Sequence, residues 1–269
     1  MPHAIITGGT SGIGKAIACL LAKNGYNLSL IARDQDKLDL TRTELLAMSP
    51  DVKQQIKCYS ADVSQKTSIE TIITTAIAAQ GSSDLLITSA GDANAGYVEE
   101  LPIEDFKHFM DVNYLGTVYT IRAALPSMLA HKRGQIVIIS SMAGLVGSFG
   151  YASYAPTKAA LKSFAEILRL ELKPYAIHIS ICYPPDTDTP LLAKENKTRP
   201  LETKLLNKIA GCYSPETVAK DIMRGIHKKQ FAIVPGWTNY LFYFLLNPVL
   251  SIWFAYADFI IKKARKIRL

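Results

Sequence analysis

The first fourteen residues restrict the chain more than any other stretch. An apolar run from His3 to Thr7 leads directly into Thr7-Gly-Gly-Thr-Ser-Gly-Ile-Gly14, and an amphipathic segment from Lys15 to Asn24 follows. A short apolar run bounded by glycine reads as a buried strand, and a 3.6-residue period reads as a helix. A strand that enters a helix through a glycine turn aims free backbone N–H groups and the positive end of the helix dipole at one point. Glycine lets the backbone approach a ligand with no Cβ in the way. The spacing is Gly-x-x-x-Gly-x-Gly, not the commoner Gly-x-Gly-x-x-Gly. It sets Gly8, Thr10, Ser11, Gly12, Ile13 and Gly14 around the phosphates of a dinucleotide.

The rest of the chain extends the same pattern. Asn27 to Ala32 reads as a second strand and ends in Arg33, with Lys37 one turn into the next helix. In a dinucleotide fold this strand end meets the adenosine ribose, where an acid holds the 2′-hydroxyl and a cation accommodates a 2′-phosphate. Arg33 and Lys37, with Lys15 as further positive charge, point to NADPH. Asp34 is a competing ribose ligand. Ile56 to Ser60 is a third strand, followed by Ala61-Asp62-Val63. Asp62 is placed either to bond an adenine amino group or to cap, and Ser64 reads as the N-cap of a helix ending at Gln80. Asp84 to Thr88 is a fourth strand, ending in Ser89, Ala90 and Gly91, which leave room for a ligand. Leu101 to His131 reads as one helix. Its Asn113 is an amide in apolar surroundings and needs a partner, either in the core or in a water chain. Gln135 to Ile139 and Ile177 to Tyr183 are strands five and six, and Phe231 to Val234 is the last. Strands alternating with helices predict a Rossmann-type doubly wound parallel sheet with helices on both faces.

Strand carboxyl ends are where ligands sit in such sheets. Strand five ends in Ser140-Ser141, and the next helix, expected to reach Pro174, holds Tyr154 and Lys158. Four residues apart, these two share a helix face. A cation beside a phenol favours phenolate and eases proton exchange at its oxygen, which suits acid–base work on a carbonyl or an alcohol. Such pairs are also common on plain helix surfaces. Residues 191 to 211 are polar and broken and read as a lid over the site. Asp186 and Asp188 read as caps of a turn.

These motifs taken together resemble those of the short-chain dehydrogenase/reductase family, from residue 3 to about 235. Thr7 to Gly14 is similar to its glycine loop, and Ser141 with Tyr154-x-x-x-Lys158 is similar to its catalytic set. Asn113 falls where the family keeps an asparagine. Ser89-Ala90-Gly91 replaces the usual Asn-Ala-Gly, and Pro184-Pro185 the usual Pro-Gly. The resemblance implies that Tyr154 is the proton donor, that Lys158 tunes it and holds the nicotinamide ribose, and that Ser141 fixes the carbonyl. It further implies that Asn113 supports a proton relay. Pro184, Thr187 and Thr189 would line the nicotinamide. The string Pro184 to Pro190, with Glu195 to Glu202 beyond it, resembles the 3-ketodihydrosphingosine reductase branch. That branch reduces a long-chain amino ketone with NADPH and is membrane-associated, which adds the alternative that Asp186 or Asp188 pairs with the substrate's ammonium. Other readings are reduction of another hydrophobic ketone (steroid, retinoid or 3-oxoacyl) and a silent NADPH-binding scaffold.

Composition adds boundaries. The four cysteines, Cys19, Cys58, Cys182 and Cys212, show no Cys-x-x-Cys spacing, so neither a metal cluster nor a disulfide framework is expected. The net charge of +7 is concentrated partly in Lys262, Lys263, Arg265, Lys266 and Arg268, which argues against a nucleic-acid surface. Residues 1–236 are expected to form the catalytic domain, with 190–212 as its lid. Residues 237–269 form an apolar segment with a basic tail. A full span needs about twenty apolar residues, and Asn247-Pro248 interrupts this one. The segment is therefore expected to lie on or re-enter a membrane from the cytosolic side, or to pack in a homo-oligomer (dimer or tetramer). The matching location is the endoplasmic reticulum in a eukaryote or the inner membrane in a bacterium.

Overall fold

The computed structural model describes residues 1–207 and 211–246. Its centre is strand β1, His3–Thr7, every residue of which is buried. A strand covered on both faces has no polar side to show, which is why the run carries no helix-like or alternating polar pattern. Helix α1 (Gly12–Lys23) follows, then β2 (Asn27–Ala32), α2 (Gln35–Ala47), β3 (Ile56–Ser60), α3 (Lys66–Gln80) and β4 (Leu85–Thr88). The second half adds α4 (Ile103–Phe109), α5 (Gly116–His131), β5 (Gly134–Ile139), α6 (Ala155–Leu172) and β6 (Ile177–Cys182). Beyond it lie β7 (Asp186–Thr187), α7 (Pro190–Glu195), α8 (Leu201–Asn207), β8 (Cys212–Tyr213), α9 (Pro215–His227), β9 (Ala232–Ile233) and α10 (Trp237–Leu246).

Seven strands form one sheet in the order β3-β2-β1-β4-β5-β6-β9. Every pairing in it is parallel. Alternation within each strand sorts side chains between two cores. Ala4, Ile6, Leu28, Leu30, Leu85 and Ile87 face α1, α2 and α9. Ile5, Ile31, Leu86, Ile136 and Ile138 face α3, α5 and α6. Each fully buried leucine or isoleucine contributes about 1.5–3 kcal/mol. The order turns around at β1 and β4, so the helices leaving those strands diverge and open a crevice at the carboxyl edge.

Several expectations shift in detail. The helix expected over Leu101–His131 is α4 and α5 joined by a π-helical stretch, Met110–Leu115. It buries Asn113, and Gly116 then packs so closely that a Cβ would lie 2.8 Å from Val63 Cγ2. Ser64 does not cap α3; the N-cap is Gln65, and Ser64 donates to Asp62 instead. Helix α1 begins inside the glycine motif, at Gly12, not at Lys15. Helix α10 covers the first ten residues of the apolar C-terminal segment, and residues 247–269 lie outside the described part. No helix among the described residues is long and apolar enough to cross a membrane.

The glycine loop tolerates little change because it is packed from behind. A Cβ on Gly14 would overlap the Gly8 carbonyl oxygen, and one on Gly8 would lie 2.7 Å from the Ala90 nitrogen. Backbone cannot swing aside as a side chain can. Gly14→Ala should therefore lower stability by about 1–3 kcal/mol, read as a lower urea midpoint with an unchanged slope.

Candidate active site

The crevice holds a cavity of ≈1030 Å³. Gly8, Thr10, Ser11, Gly12 and Ile13 form its floor. Gly14 does not reach it; its role is the close packing against Gly8. Helix α1 has no capping side chain and no acid in its first turn. Its N-terminal N–H groups and positive dipole end thus need a partner from outside the helix. Gly8 and Gly12 have φ of 70° and 51°, which non-glycine residues adopt with strain. This cradle fits a dinucleotide pyrophosphate.

Arg33, Asp34, Lys37, Asp62 and Val63 line the next part of the cavity. Asp34 is the N-cap of α2: its Oδ1 accepts from Lys37 N at 3.1 Å, and its Oδ2 meets Lys37 Nζ at 3.1 Å. Capping and pairing hold its pKa below the ordinary carboxylate value, and they occupy the acid that competed for the ribose. Lys37 is held by the same pair, and of the two cations lining this part of the cavity Arg33 is the one without an ion-pair partner among the described residues. Lys15 turns away to Glu44 at 2.6 Å and takes no part. Asp62 Oδ1 accepts from Ser64 N at 2.9 Å and Ser64 Oγ at 2.8 Å, which makes it a turn residue whose other oxygen remains for a ligand.

At the far end Ser141, Tyr154 and Lys158 meet on one wall, with Ala90, Gly91, Pro184, Thr187 and Thr189 around them. Tyr154 is the N-cap of α6, and Lys158 lies in the helix with its ammonium buried. Lys158 Nζ donates to Ile139 O at 3.1 Å and stands 5.6 Å from the Tyr154 ring centre. Ser140 Oγ donates to the Lys158 carbonyl at 2.9 Å and fixes α6 to the end of β5. Asn113 lies behind the wall. Its Nδ2 donates to Asp92 O at 2.9 Å and Thr157 Oγ1 at 3.0 Å, and its Oδ1 accepts from Asp92 N at 2.8 Å. The amide thus joins the turn after β4 to the helix of Lys158. Thr187 Oγ1 donates to Pro185 O, and Thr189 Oγ1 caps α7 through Leu192 N.

Burial sets the protonation states. It raises the Tyr154 phenol far above its usual value, nearby Glu195 raises it further, and the hydrogen bond with Ser141 pulls it partly back. The expected lowering by Lys158 does not emerge: burial, Glu195, Ser141 and Asp186 set the phenol, and Lys158 is not among its influences. Burial also lowers Lys158 to about 8, against a smaller opposing effect of Glu195. Tyr154 is therefore a protonated donor at neutral pH, as reduction of a ketone requires.

One group of residues beside this wall escaped the sequence reading. Tyr151 OH donates to Glu195 Oε2 at 2.7 Å, and Arg199 Nη2 donates to the same oxygen at 3.0 Å and to the Tyr151 phenolic oxygen. Arg199 Nη1 donates to Asp186 Oδ2 at 2.6 Å. Asp186 is thus engaged, while Asp188 is exposed and off the cavity. Helices α7 and α8, in the stretch expected to be a lid, are tied down at several points, including Lys194 Nζ to Asp92 at 2.6 Å and Thr198 Oγ1 to Asn94 at 2.8 Å. The i, i+4 spacing of Glu195 and Arg199 was the available signal, and the polar composition around it masked the helix.

A parallel doubly wound sheet with a phosphate cradle that ends in a Tyr–Lys pair defines a dinucleotide-dependent oxidoreductase. Comparison with known proteins narrows this. The family model described as short chain dehydrogenase matches residues 2–200, and the chain belongs to that family. It is 42% identical over 254 residues to a 3-dehydrosphinganine reductase of Danio rerio, covering 93% of this chain and 76% of that one. It is 41% identical, with the same coverage, to a 3-ketodihydrosphingosine reductase of Bos taurus. An alcohol dehydrogenase of Thermococcus sibiricus, solved with 5-hydroxy-NADP, superposes with a TM-score of 0.74 at 26% identity, over 87% of this chain and 95% of that one.

The buried ammonium has a cost that can be measured. Below pH 8 Lys158 is charged in both folded and unfolded chains, and its burial penalty is fully present. Between about 8 and the ordinary 10.5 the unfolded chain binds more protons, so stability contributed at this site rises with pH. Lys158→Met should stabilise the protein by about 1–3 kcal/mol at pH 7 while abolishing activity. The gain should shrink toward pH 10.5 in urea melts at a series of pH values.

Proposed function

We propose that the chain reduces the 3-keto group of 3-ketodihydrosphingosine to dihydrosphingosine, a step of sphingolipid synthesis, with NADPH as cofactor. The observation that carries this reading is a half-buried, protonated Tyr154 beside Ser141, at the wall of a cavity whose outer part is apolar. Val146, Phe149, Leu191, Leu192, Leu206 and Phe242 form that outer part. The relatives' names supply the substrate class. NADPH, when bound, supplies the hydride to the ketone carbon. The α1 N-terminus and Gly8 to Ile13 would bind its pyrophosphate, and Arg33 would meet the 2′-phosphate, with Lys37 beside it in its pair with Asp34. Asp62 and Val63 flank the adenine. Ala90, Gly91, Pro184, Thr187 and Thr189 enclose the nicotinamide end.

Ser141 donates a hydrogen bond to the ketone oxygen and holds it against the tyrosine. Tyr154 gives that oxygen its proton, which completes the alcohol. Lys158, anchored on the Ile139 carbonyl, holds the ribose hydroxyls. Asn113 keeps the Asp92 turn and Thr157 in register behind it, next to the route by which a proton returns to Lys158.

Residues 1–236 are the catalytic domain, with 190–212 as its lid, and 237–269 the membrane-associating part. Helices α8 and α10 support this, since Leu201, Leu205, Trp237, Tyr240, Leu241, Phe244 and Leu245 are exposed. Leu206 and Phe242 of the same helices line the cavity. An apolar collar at the mouth suits a lipid surface, with aromatic rings at the boundary. The catalytic domain then faces the cytosol, and a homo-oligomer is compatible with this orientation.

Tyr154→Phe should lower kcat by about 10³-fold while NADPH still binds. Wild-type NADPH oxidation is measured with 3-ketodihydrosphingosine, a steroid ketone and a 3-oxoacyl thioester. A preference for either of the latter two would refute the substrate assignment. The full chain should stay on membranes through a high-salt wash and leave with detergent; release by salt alone would count against the collar.

A further inference from the structure

Glu195 closes one side of the cavity next to Tyr154. It is only 7% exposed, and its charge raises the pKa of both Tyr154 and Lys158. Its Oε2 takes two donors, Tyr151 OH and Arg199 Nη2. Its Oε1 has no hydrogen-bond partner among the described residues, and Glu195 is one of the residues that line the cavity. The surrounding cations are engaged elsewhere. Arg199 also serves Asp186, Lys194 serves Asp92, and Lys158 serves the Ile139 carbonyl. Asp186 and Glu195 together share one guanidinium, while Asp186 meets Arg199 and Asn207 through both of its oxygens. The ionised cluster therefore carries one negative charge in excess, and the free acceptor belongs to a residue that lines the cavity.

We infer that Glu195 binds a primary ammonium on the carbon next to the reacting ketone, through Oε1, and thereby selects amino ketones over neutral ketones. The inference rests on the amino-ketone reading above and replaces Asp186 and Asp188 as the candidate acids. A charge-assisted hydrogen bond in a dry site is stronger than one in water. A neutral analogue leaves the buried carboxylate without its partner, and sites built this way reject such analogues strongly. Tyr151 and Arg199 hold the carboxylate in place while its second oxygen waits for the ligand. The same contact sets the carbonyl toward Tyr154, because ammonium and ketone sit on adjacent carbons.

The test compares kcat/KM of the full-length protein on 3-ketodihydrosphingosine and on the same long-chain ketone lacking the amine. The wild type should prefer the amine by about 100-fold, and Glu195→Gln should lose most of that preference. Equal kcat/KM on both ketones in the wild type would overturn the role of Glu195, as would a preference that Glu195→Gln retains. A protein that turns over neither long-chain ketone overturns the amino-ketone reading itself, and the inference with it. A second measurement needs no variant. A long-chain primary amine should inhibit the wild type more tightly than the matching alcohol, and equal inhibition counts against the pairing.

Discussion

The arrangement of the site depends on one buried ammonium. Lys158 is out of water, and a single carbonyl, that of Ile139, receives its donated bond. A charge in that position has to be supported by everything around it. Ser140 fixes the turn of α6 that carries it. Gly144 packs against its backbone so tightly that a Cβ would lie 2.7 Å from the Lys158 carbonyl oxygen. Asn113 ties the neighbouring Thr157 to the β4 turn. The serine, the asparagine, the glycine and the end of β5 thus form one constraint that presents a cation to a ligand at the edge of a sheet.

Much of this was legible in the order of residues. The strands were recognisable because a parallel sheet covered on both faces needs short, continuous apolar runs, and His3–Thr7 and Asn27–Ala32 are such runs. The glycine loop and the Tyr154–Lys158 spacing located both ends of the cavity. What could not be read depended on packing. The π-helical stretch at Met110–Leu115 has no local signature, since it follows from fitting Gly116 against Val63 and from burying an amide. Lys15 and Lys37 look equivalent to Arg33 in the sequence, yet acids on α2 engage both of them. The Glu195–Arg199 pair lies in a stretch too polar to look buried, and only its closure over Tyr151 shows that it is.

The two carboxylates near Tyr154 illustrate the same point. Asp186 follows a strand end and stood out as a ligand candidate. In the folded chain it meets Arg199 and becomes part of the cluster with Glu195 and Tyr151. Glu195 lacks any motif, but the helix places it in the lining of the cavity with one of its oxygens on two donors. Proximity to the reaction is settled here by which partners a residue already has.

The strand order also carries a consequence for how the chain acquires its shape. Strand β1 pairs with β2 soon after both exist, but its other neighbour is β4, about 80 residues further on. Until residues 85–88 arrive, one edge of a fully buried strand is open, and such an edge is a template for wrong pairing. During synthesis the N-terminal three strands are therefore an incomplete half-sheet. The fold is committed only when β4 docks, and the same docking brings Ala90 against Gly8 and shapes the cradle.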